Sequence, residues 1–188
     1  MKSGRFFGGP FIALFAAMAV GWLMQPDDSV PLRLPSRPAP APEWALRDLT
    51  GHTNRLSDYS GRIVLLNFWA TYCPPCIREI PDLSAFHRSQ ATNGVSVIGI
   101  ASEPDASSVV PDFVKSYKIP YPVLLADAQV VEQYGVLSLP QTFVLDPSGR
   151  IVGRYIGRMR TKDLEAAIAP LLAARLTNGA PATGLGER

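Results

Sequence analysis

Two almost uninterrupted apolar runs lie in the middle of the chain, RIVLLNFW at residues 62–69 and VSVIGIA at residues 95–101. Runs of this kind, rich in β-branched and aromatic residues and without polar alternation, are typical of strands covered on both faces of a sheet. A β-hairpin is predicted over residues 44–56, where Gly51 supplies the turn. Shorter strand patterns follow at residues 122–126, 141–145 and 151–156. The last two strands are joined by the turn sequence DPSG, which predicts a second hairpin.

Helical patterns fill the gaps between these strands. They predict helices over residues 77–91, 109–117 and 129–134, and a last amphipathic helix that Thr161 is expected to cap. Pro111 is expected in the first turn of its helix, where a missing N–H is tolerated. Strands that alternate with helices predict an α/β fold, built as an α/β/α sandwich around a central mixed sheet.

The first 24 residues have the layout of an export signal or of a single membrane-anchoring helix. Lys2 and Arg5 precede an uncharged apolar segment, residues 6–24. A helix over this segment spans roughly 28 Å, close to the hydrocarbon thickness of a bilayer, which favours a retained anchor. The alternative is a signal peptide cleaved at the A-x-A pattern of residues 17–19, which would release the domain into the periplasm. In both cases the folded domain is expected outside the cytoplasm.

Proline spacing and composition divide the remaining chain. Six prolines in residues 25–42 predict an extended, semi-rigid linker. A single domain is predicted over residues 43–176, followed by a disordered tail at residues 177–188. With 47% hydrophobic and 18% charged residues, the chain can bury a sizeable core. Its net charge of +2 is too small for a nucleic-acid-binding protein, so no nucleic acid partner is expected.

The chain has only two cysteines, Cys73 and Cys76, in the sequence FWATYCPPC at the end of the first apolar run. Such a pair can be a structural disulfide, half of a zinc site, or a redox-active dithiol. A disulfide that closes so short a loop would restrict the unfolded chain very little. A zinc site needs four ligands, and His52 and His87 lack the paired spacing of a zinc finger. No metal site is therefore predicted, and the redox dithiol is favoured.

The position of the cysteines supports the redox interpretation. Cys73 falls where a strand ends and a helix is expected to begin, so the helix dipole and free N–H groups would stabilise its thiolate. Cys73 is the predicted nucleophile, and Cys76, one turn into the helix, is the predicted resolving thiol. Pro74 and Pro75 stiffen the loop between the two sulfurs. Because neither proline can donate an N–H to Cys73, the couple is expected to be reducing, which favours a reductase.

Two segments of the chain resemble a known family. Residues 64–81, VLLNFWATYCPPCIREIP, and residues 138–157, SLPQTFVLDPSGRIVGRYIG, are similar to the TlpA/ResA/CcmG-like membrane-anchored thiol:disulfide oxidoreductases of the thioredoxin superfamily. The resemblance implies a thioredoxin fold with an N-terminal β-hairpin and a central strand–helix insert, which residues 122–134 resemble. It also implies a single-pass protein of the bacterial inner membrane whose domain faces the periplasm or the cell exterior.

The resemblance assigns substrate-binding and supporting roles near the dithiol. Pro140 matches the family's cis-proline, and the backbone of Leu139 before it would pair with a substrate strand. Tyr72 would border the site as a further substrate-binding residue. Trp69 would pack beneath the dithiol as a supporting residue, although Trp69 and Tyr72 both also suit ordinary core or rim positions.

The resemblance also implies a third catalytic residue. Glu79 matches a family carboxylate, three residues after the second cysteine, that takes the proton of the resolving thiol Cys76. The alternative is an ordinary surface glutamate. Thioredoxin itself carries a buried Asp at the position of Asn67, so this chain lacks that proton acceptor.

The expected activity is reduction of cysteine pairs in envelope proteins, with apocytochrome c maturation as the family's best-represented task. The resemblance implies protein substrates, a membrane electron donor of the DsbD/CcdA type, and no cofactor beyond the redox-active Cys73–Cys76 disulfide. The alternative is a Cu(I)-binding metallochaperone or copper-site assembly factor that uses the same two thiols. A peroxidase is not expected, because the Thr and Cys pattern at a helix start and a matching Arg are missing.

Overall fold

The computed structural model describes residues 38–177 of the chain. The predicted membrane segment (1–24), most of the predicted linker (25–42) and the tail after Thr177 lie outside the described residues. None of the helices within residues 38–177 is long and apolar enough to cross a membrane.

Eight strands and four α-helices make up the described part of the chain. The strands are β1 (Ala39–Pro40), β2 (Ala45–Arg47), β3 (Thr53–Arg55), β4 (Ile63–Trp69), β5 (Val95–Ala101), β6 (Val123–Leu125), β7 (Gln141–Leu145) and β8 (Arg150–Ile156). The helices are α1 (Pro74–Gln90), α2 (Ala106–Tyr117), α3 (Ala128–Gln133) and α4 (Thr161–Thr177), with a short 3₁₀ helix at Leu56–Tyr59. The predicted α/β architecture is confirmed.

Six of the strands form one mixed sheet in the order β1-β8-β7-β4-β5-β6, and β2 pairs with β3 in a separate hairpin. β4, β5 and β6 are parallel, whereas β7 runs antiparallel to β4 and β8 runs antiparallel to β7. Phe68 near the end of β4 lies opposite Gln141 at the start of β7. The loop after β4 and the loop before β7 therefore emerge at the same edge of the sheet, which carries both the cysteines and Pro140.

Both faces of the sheet are covered, as the apolar runs predict. Every residue of β4 and β5 is buried. Successive side chains of β4 point to opposite faces. Leu65 and Trp69 join a first core cluster with residues of α1, α2 and α4, whereas Phe68 joins a second cluster with α3 and the N-terminal hairpin. Cys73 and Cys76 belong to the first core cluster, so packing as well as the start of α1 fixes the dithiol.

Helix α2 begins earlier than predicted. Its first residue is Ala106 rather than Val109, so Pro111 lies in its interior and the expectation of a first-turn proline is wrong. The Asp105 carbonyl accepts hydrogen bonds from the N–H groups of Ser108 and Val109 at 2.9 and 3.3 Å, which starts the helix one turn earlier. The small residues of that turn carry no amphipathic pattern, and for that reason the sequence pattern does not reveal them.

The start of α4 also differs from its prediction. Thr161 is the first residue of the helix rather than its cap. The Thr161 hydroxyl donates to Asp82 of α1 at 2.9 Å, and the Asp163 carboxylate accepts from the Arg160 N–H at 2.9 Å. A long-range contact thus occupies the hydroxyl that local capping would have used.

The sheet begins inside the segment predicted as a linker. In β1, Ala39 lies opposite Ile151 and Pro40 opposite Arg150. Proline is compatible with this position because an edge strand needs few ladder hydrogen bonds. The ordered domain therefore starts before the boundary predicted at Glu43.

Candidate active site

The two cysteines lie at the junction of β4 and α1. Cys73 and Cys76 form a disulfide, with their Cα atoms 5.3 Å apart. The exposed fraction is 7% for Cys73 and 2% for Cys76. Cys73 is the more accessible of the two, so a partner sulfur would meet Cys73 first.

Cys73 occupies the N-cap position of α1. Its backbone is extended, and its Sγ accepts a hydrogen bond from the Cys76 N–H at 3.3 Å. Pro74 and Pro75 fill the first two helical positions, where the N–H would have no partner within the helix. The Cys76 N–H is thus the first main-chain donor that α1 offers. A negative charge on the Cys73 sulfur would gain this hydrogen bond and the positive end of the helix dipole.

Glu79 lies in the interior of the protein, one turn after Cys76 on α1. Its side chain has no exposed surface. Its Oε1 accepts a hydrogen bond from the Met159 N–H at 2.8 Å, and its Oε2 accepts one from the Asn67 side-chain amide at 3.2 Å. Burial raises the pKa of Glu79 from its ordinary 4.5 to about 8, and the two hydrogen bonds only partly oppose the loss of solvation. The surface alternative considered for Glu79 does not fit this position.

Asn67 connects Glu79 to the centre of the sheet. It is 1% exposed, and its side-chain amide also donates to the Thr142 hydroxyl on β7 at 2.9 Å. From the sequence, Asn67 was noted only because thioredoxin has a buried Asp at this position. Because Asn67 is the one polar residue in the apolar β4 sequence IVLLNFW, that pattern was a signal for a buried polar partner.

The segment before β7 lies at the same edge of the sheet as the cysteines. The Leu139–Pro140 peptide bond is cis, as the resemblance implies. The Pro140 carbonyl accepts a hydrogen bond from the Gly157 N–H at 2.8 Å. Leu139 is partly buried and packs against the first core cluster, which contains both cysteines. Within residues 38–177, the N–H and C=O of Leu139 take part in no backbone hydrogen bond. They are therefore available to an incoming strand.

The two aromatic residues predicted near the site have opposite environments. Trp69 is 2% exposed, and its ring packs against Phe113 with centroids 5.4 Å apart. Its indole N–H has no hydrogen-bond partner among the described residues. Tyr72 is 68% exposed and lies next to Cys73 in sequence, so it forms part of the rim around the disulfide.

A buried acid that the sequence analysis missed holds the loop before Cys73. The Glu103 carboxylate accepts hydrogen bonds from the Thr71 N–H at 3.0 Å and from the Thr71 hydroxyl at 2.7 Å. Glu103 is buried although it follows the end of β5 by only two residues. No local pattern marks this pair, because its two residues are far apart in sequence and meet only when the sheet forms.

Glu103 also lines a groove beside the site, with a cavity volume of about 510 Å³. The groove lies between the loops that follow β5 and β6 and the segment that follows α3, at the edge of the sheet that carries the cysteines. Its lining combines apolar and acidic side chains: Ala126, Val131, Val136 and Leu137 with Glu103, Asp127 and Glu132. Leu137 on its rim is 92% exposed.

Metal ligands are scarce around the site. Among residues 38–177, no group of three or more His, Cys, Asp or Glu side chains could hold a metal ion. Thiolate ligands for Cu(I) could come only from Cys73 and Cys76 in their reduced form, since the chain has two cysteines.

Comparison with known proteins agrees with this geometry. The model of the AhpC/TSA family matches residues 38–154. The thiol-disulfide oxidoreductase ResA of Geobacillus kaustophilus is 37% identical over 127 residues, which cover 66% of this chain and 72% of that protein. ResA of Bacillus thuringiensis subsp. konkukian is 30% identical over 167 residues, which cover 88% of this chain and 95% of that protein.

Solved structures show the same fold. A DsbF homologue from Corynebacterium diphtheriae superimposes with a TM-score of 0.69 at 28% identity and covers 78% of this chain and 96% of its own. A thiol:disulfide interchange protein of the thioredoxin family from Chlorobium tepidum superimposes with a TM-score of 0.67 at 28% identity. It covers 73% of this chain and 99% of its own. The chain therefore belongs to the AhpC/TSA family of thioredoxin-like proteins and is a thiol-disulfide oxidoreductase of the ResA type.

Proposed function

We propose that this protein is an extracytoplasmic reductase that transfers two electrons from the Cys73–Cys76 dithiol to disulfides in other proteins. The observation that carries the proposal is the position of Cys73 at the N-terminus of α1, with the Cys76 N–H directed at its sulfur. A thiolate is the nucleophile of disulfide exchange, and both the hydrogen bond and the helix dipole favour the thiolate at this position.

The reduction takes place in two exchange steps. The Cys73 thiolate attacks one sulfur of a substrate disulfide, so a Cys73–substrate disulfide forms and the other substrate sulfur leaves as a thiolate. Cys76 then loses its proton and attacks the Cys73 sulfur, and the second substrate sulfur leaves. The protein gives up two electrons and ends as the Cys73–Cys76 disulfide, while the substrate gains two electrons and two thiol groups.

Glu79 is the proposed acceptor for the Cys76 proton. It lies one turn further along α1, inside the protein, where water has no access to it. Its pKa of about 8 is close to the ordinary value of a thiol, about 8.5. In its ionised form, a carboxyl group matched in this way can take the proton when Cys76 attacks and return it when the disulfide is reduced again.

The direction of electron flow follows from the two prolines. Pro74 and Pro75 offer no N–H to the Cys73 sulfur, so the thiolate has less stabilisation than a loop with free donors would give. A less stabilised thiolate makes the reduced form less stable and the couple more reducing. This favours reduction of substrates over their oxidation.

Substrate proteins are proposed to bind across the segment before β7. The unpaired N–H and C=O of Leu139 suit an extended chain, which would form main-chain hydrogen bonds beside the disulfide. Exposed Leu137, two residues before Leu139, and exposed Tyr72, next to Cys73, would offer apolar contact to the same chain. Because Leu137 also lines the groove that contains Glu103, this groove is the proposed place for substrate residues next to the cysteines.

Cysteine pairs of apocytochrome c are the proposed substrates, since haem attachment requires free thiols in a compartment that oxidises them. The reductant that restores the dithiol is proposed to be a membrane protein of the DsbD/CcdA type. The uncharged apolar segment of residues 6–24 supports a membrane anchor, and the resemblance to membrane-anchored oxidoreductases supports a domain in the periplasm.

The test compares disulfide reduction with copper binding by the same protein. The full-length reduced chain is assayed for insulin reduction, and in parallel for Cu(I) that stays bound through gel filtration. We expect insulin reduction that is lost in Cys73→Ser, and no stoichiometric copper. Stoichiometric Cu(I) retention without insulin reduction would establish the metallochaperone alternative instead.

A further inference from the structure

The loop between β8 and α4, residues 157–160, joins the elements that surround the dithiol. Its Gly157 N–H donates to the Pro140 carbonyl at 2.8 Å. Its Met159 N–H donates to Glu79 Oε1, also at 2.8 Å, and the Met159 side chain is buried. The position of this loop therefore decides whether the Glu79 carboxylate keeps one of its two hydrogen-bond donors.

One side chain binds the chain on both sides of Met159. Asp82 of α1 accepts a hydrogen bond at Oδ2 from the Arg158 guanidinium at 2.9 Å. At Oδ1 it accepts from the Thr161 N–H at 3.2 Å and from the Thr161 hydroxyl at 2.9 Å. The Asp82 side chain is 21% exposed, so water only partly screens these contacts. Asp82 follows Glu79 by three residues, and α1 therefore carries both the buried carboxylate and the side chain that holds its donor.

We infer that Asp82 is a positioning residue that fixes the β8–α4 loop and thereby keeps the Met159 N–H directed at the Glu79 carboxylate. The inference rests on the proposed role of Glu79 in proton transfer. Asp82, which is partly exposed, would thus act on the buried Glu79 through the Met159 N–H.

Several groups face Glu79 from the elements packed around it. Asp82 on α1 raises the pKa of Glu79 by like charge, and Arg158 on the loop lowers it. Asn67 from β4 donates to the carboxylate, and Tyr121, just before β6, has its own pKa raised by burial and by the Glu79 charge. The negative charge of Asp82 raises the Glu79 pKa. By fixing the loop, Asp82 also keeps the Met159 N–H on the Glu79 carboxylate, which lowers the Glu79 pKa. The two effects have opposite signs and can be separated.

The experiment follows the Glu79 carboxyl carbon by ¹³C NMR as a function of pH in the oxidised full-length protein. In Asp82→Asn the charge is lost but an acceptor for Thr161 remains, so the Glu79 pKa should fall. In Asp82→Ala the loop is released, and in Thr161→Val one hydrogen bond is lost without any change of charge. Both changes should raise the Glu79 pKa, by about one to two pH units where the Met159 hydrogen bond is lost completely and by less where it is only weakened.

Asp112→Ala, an exposed acid on α2, is the matched control and should leave the Glu79 titration unchanged. The inference is overturned if Asp82→Ala lowers the pKa as Asp82→Asn does, or if Thr161→Val has no effect. The Thr161→Val result stands even where Asp82→Ala fails to fold. Insulin reduction by Glu79→Gln tests the role of Glu79 separately, so failure of the proposed function is distinguishable from failure of the positioning.

Discussion

Glu79 is a carboxyl group in a place where its charged form is poorly solvated. Two hydrogen bonds, from Met159 and Asn67, stabilise the carboxylate but do not offset its complete burial, so the pKa stays at about 8. A carboxyl group with this pKa is protonated in most molecules at neutral pH and ionised in a minority. The proposed transfer of the Cys76 proton uses this ionised fraction, because only a carboxylate can accept a proton.

The raised pKa of Glu79 predicts a distinctive dependence of stability on pH. Between the ordinary pKa of 4.5 and about 8, the unfolded chain loses the Glu79 proton while the folded protein keeps it. The stabilisation is therefore complete below pH 4.5 and is lost as the pH rises towards 8. The free energy of unfolding should fall by a few kcal/mol, on the order of 1.4 kcal/mol per pH unit, across this window.

Glu79→Gln should remove this slope, because glutamine does not titrate. Thermal or urea unfolding at several pH values between 5 and 8 would measure it. Glu165→Gln makes the same chemical change at an exposed position of α4 and should keep the wild-type slope. An unchanged slope in Glu79→Gln would mean that Glu79 does not titrate near pH 8.

The positions of the site residues were predictable from the sequence where the contacts are local. Cys73 and Cys76 are three residues apart at a strand-to-helix junction, and the Leu139–Pro140 bond follows a family motif. The contacts that control Glu79 are not local, since Met159 and Glu79 are 80 positions apart and Thr161 and Asp82 are 79 apart. No spacing along the chain identifies such pairs, which form only when β8 and α4 pack against α1.

At the scale of elements, β5 must leave room for the indole ring of Trp69. Gly99 of β5 lies opposite Asn67, and a Cβ at Gly99 would lie 2.9 Å from the Trp69 indole nitrogen and 3.2 Å from the Tyr121 ring. Trp69 is buried and already packs against Phe113, so its ring has little room to move aside. A glycine in the middle of an otherwise apolar strand thus marks close packing beneath the dithiol.

Gly99→Ala should destabilise the protein by about 1–3 kcal/mol, the usual effect of overpacking a core. The indole N–H resonance of Trp69 should also shift in the NMR spectrum. Gly149→Ala serves as the control, because a Cβ at Gly149 meets nothing within 4 Å although its φ is +75°. Gly149→Ala should leave the Trp69 resonance in place. If Gly99→Ala matched the wild type in urea midpoint and in this resonance, the packing account would be wrong.

Strands were easier to predict than the ends of helices. The apolar runs of β4 and β5 stand out because both faces of the sheet are covered. The start of α2 was missed because its first turn is small and polar, and the cap of α4 because the Thr161 hydroxyl binds Asp82 instead. The strand β1 was missed because prolines surround it, and prolines usually indicate a linker.

At the scale of the whole molecule, the length of the apolar segment in residues 6–24 predicts that the protein is anchored in a membrane. After expression of the full chain in a bacterium, we expect the protein in carbonate-washed membranes with residues 1–24 intact. The domain should be accessible to protease from the periplasmic side. Recovery of a soluble form that begins after residue 19 would instead establish the signal-peptide alternative.

The central claim is that Cys73 attacks disulfides of other proteins and Cys76 resolves the product. It is tested most directly by trapping the mixed disulfide in the bacterial envelope with the full-length Cys76→Ser variant and identifying the joined cysteines by mass spectrometry. We predict reductant-sensitive adducts through Cys73 in Cys76→Ser, and none in the matched Cys73→Ser variant. Adducts through Cys76 in Cys73→Ser, or no adducts in either variant, would contradict the account.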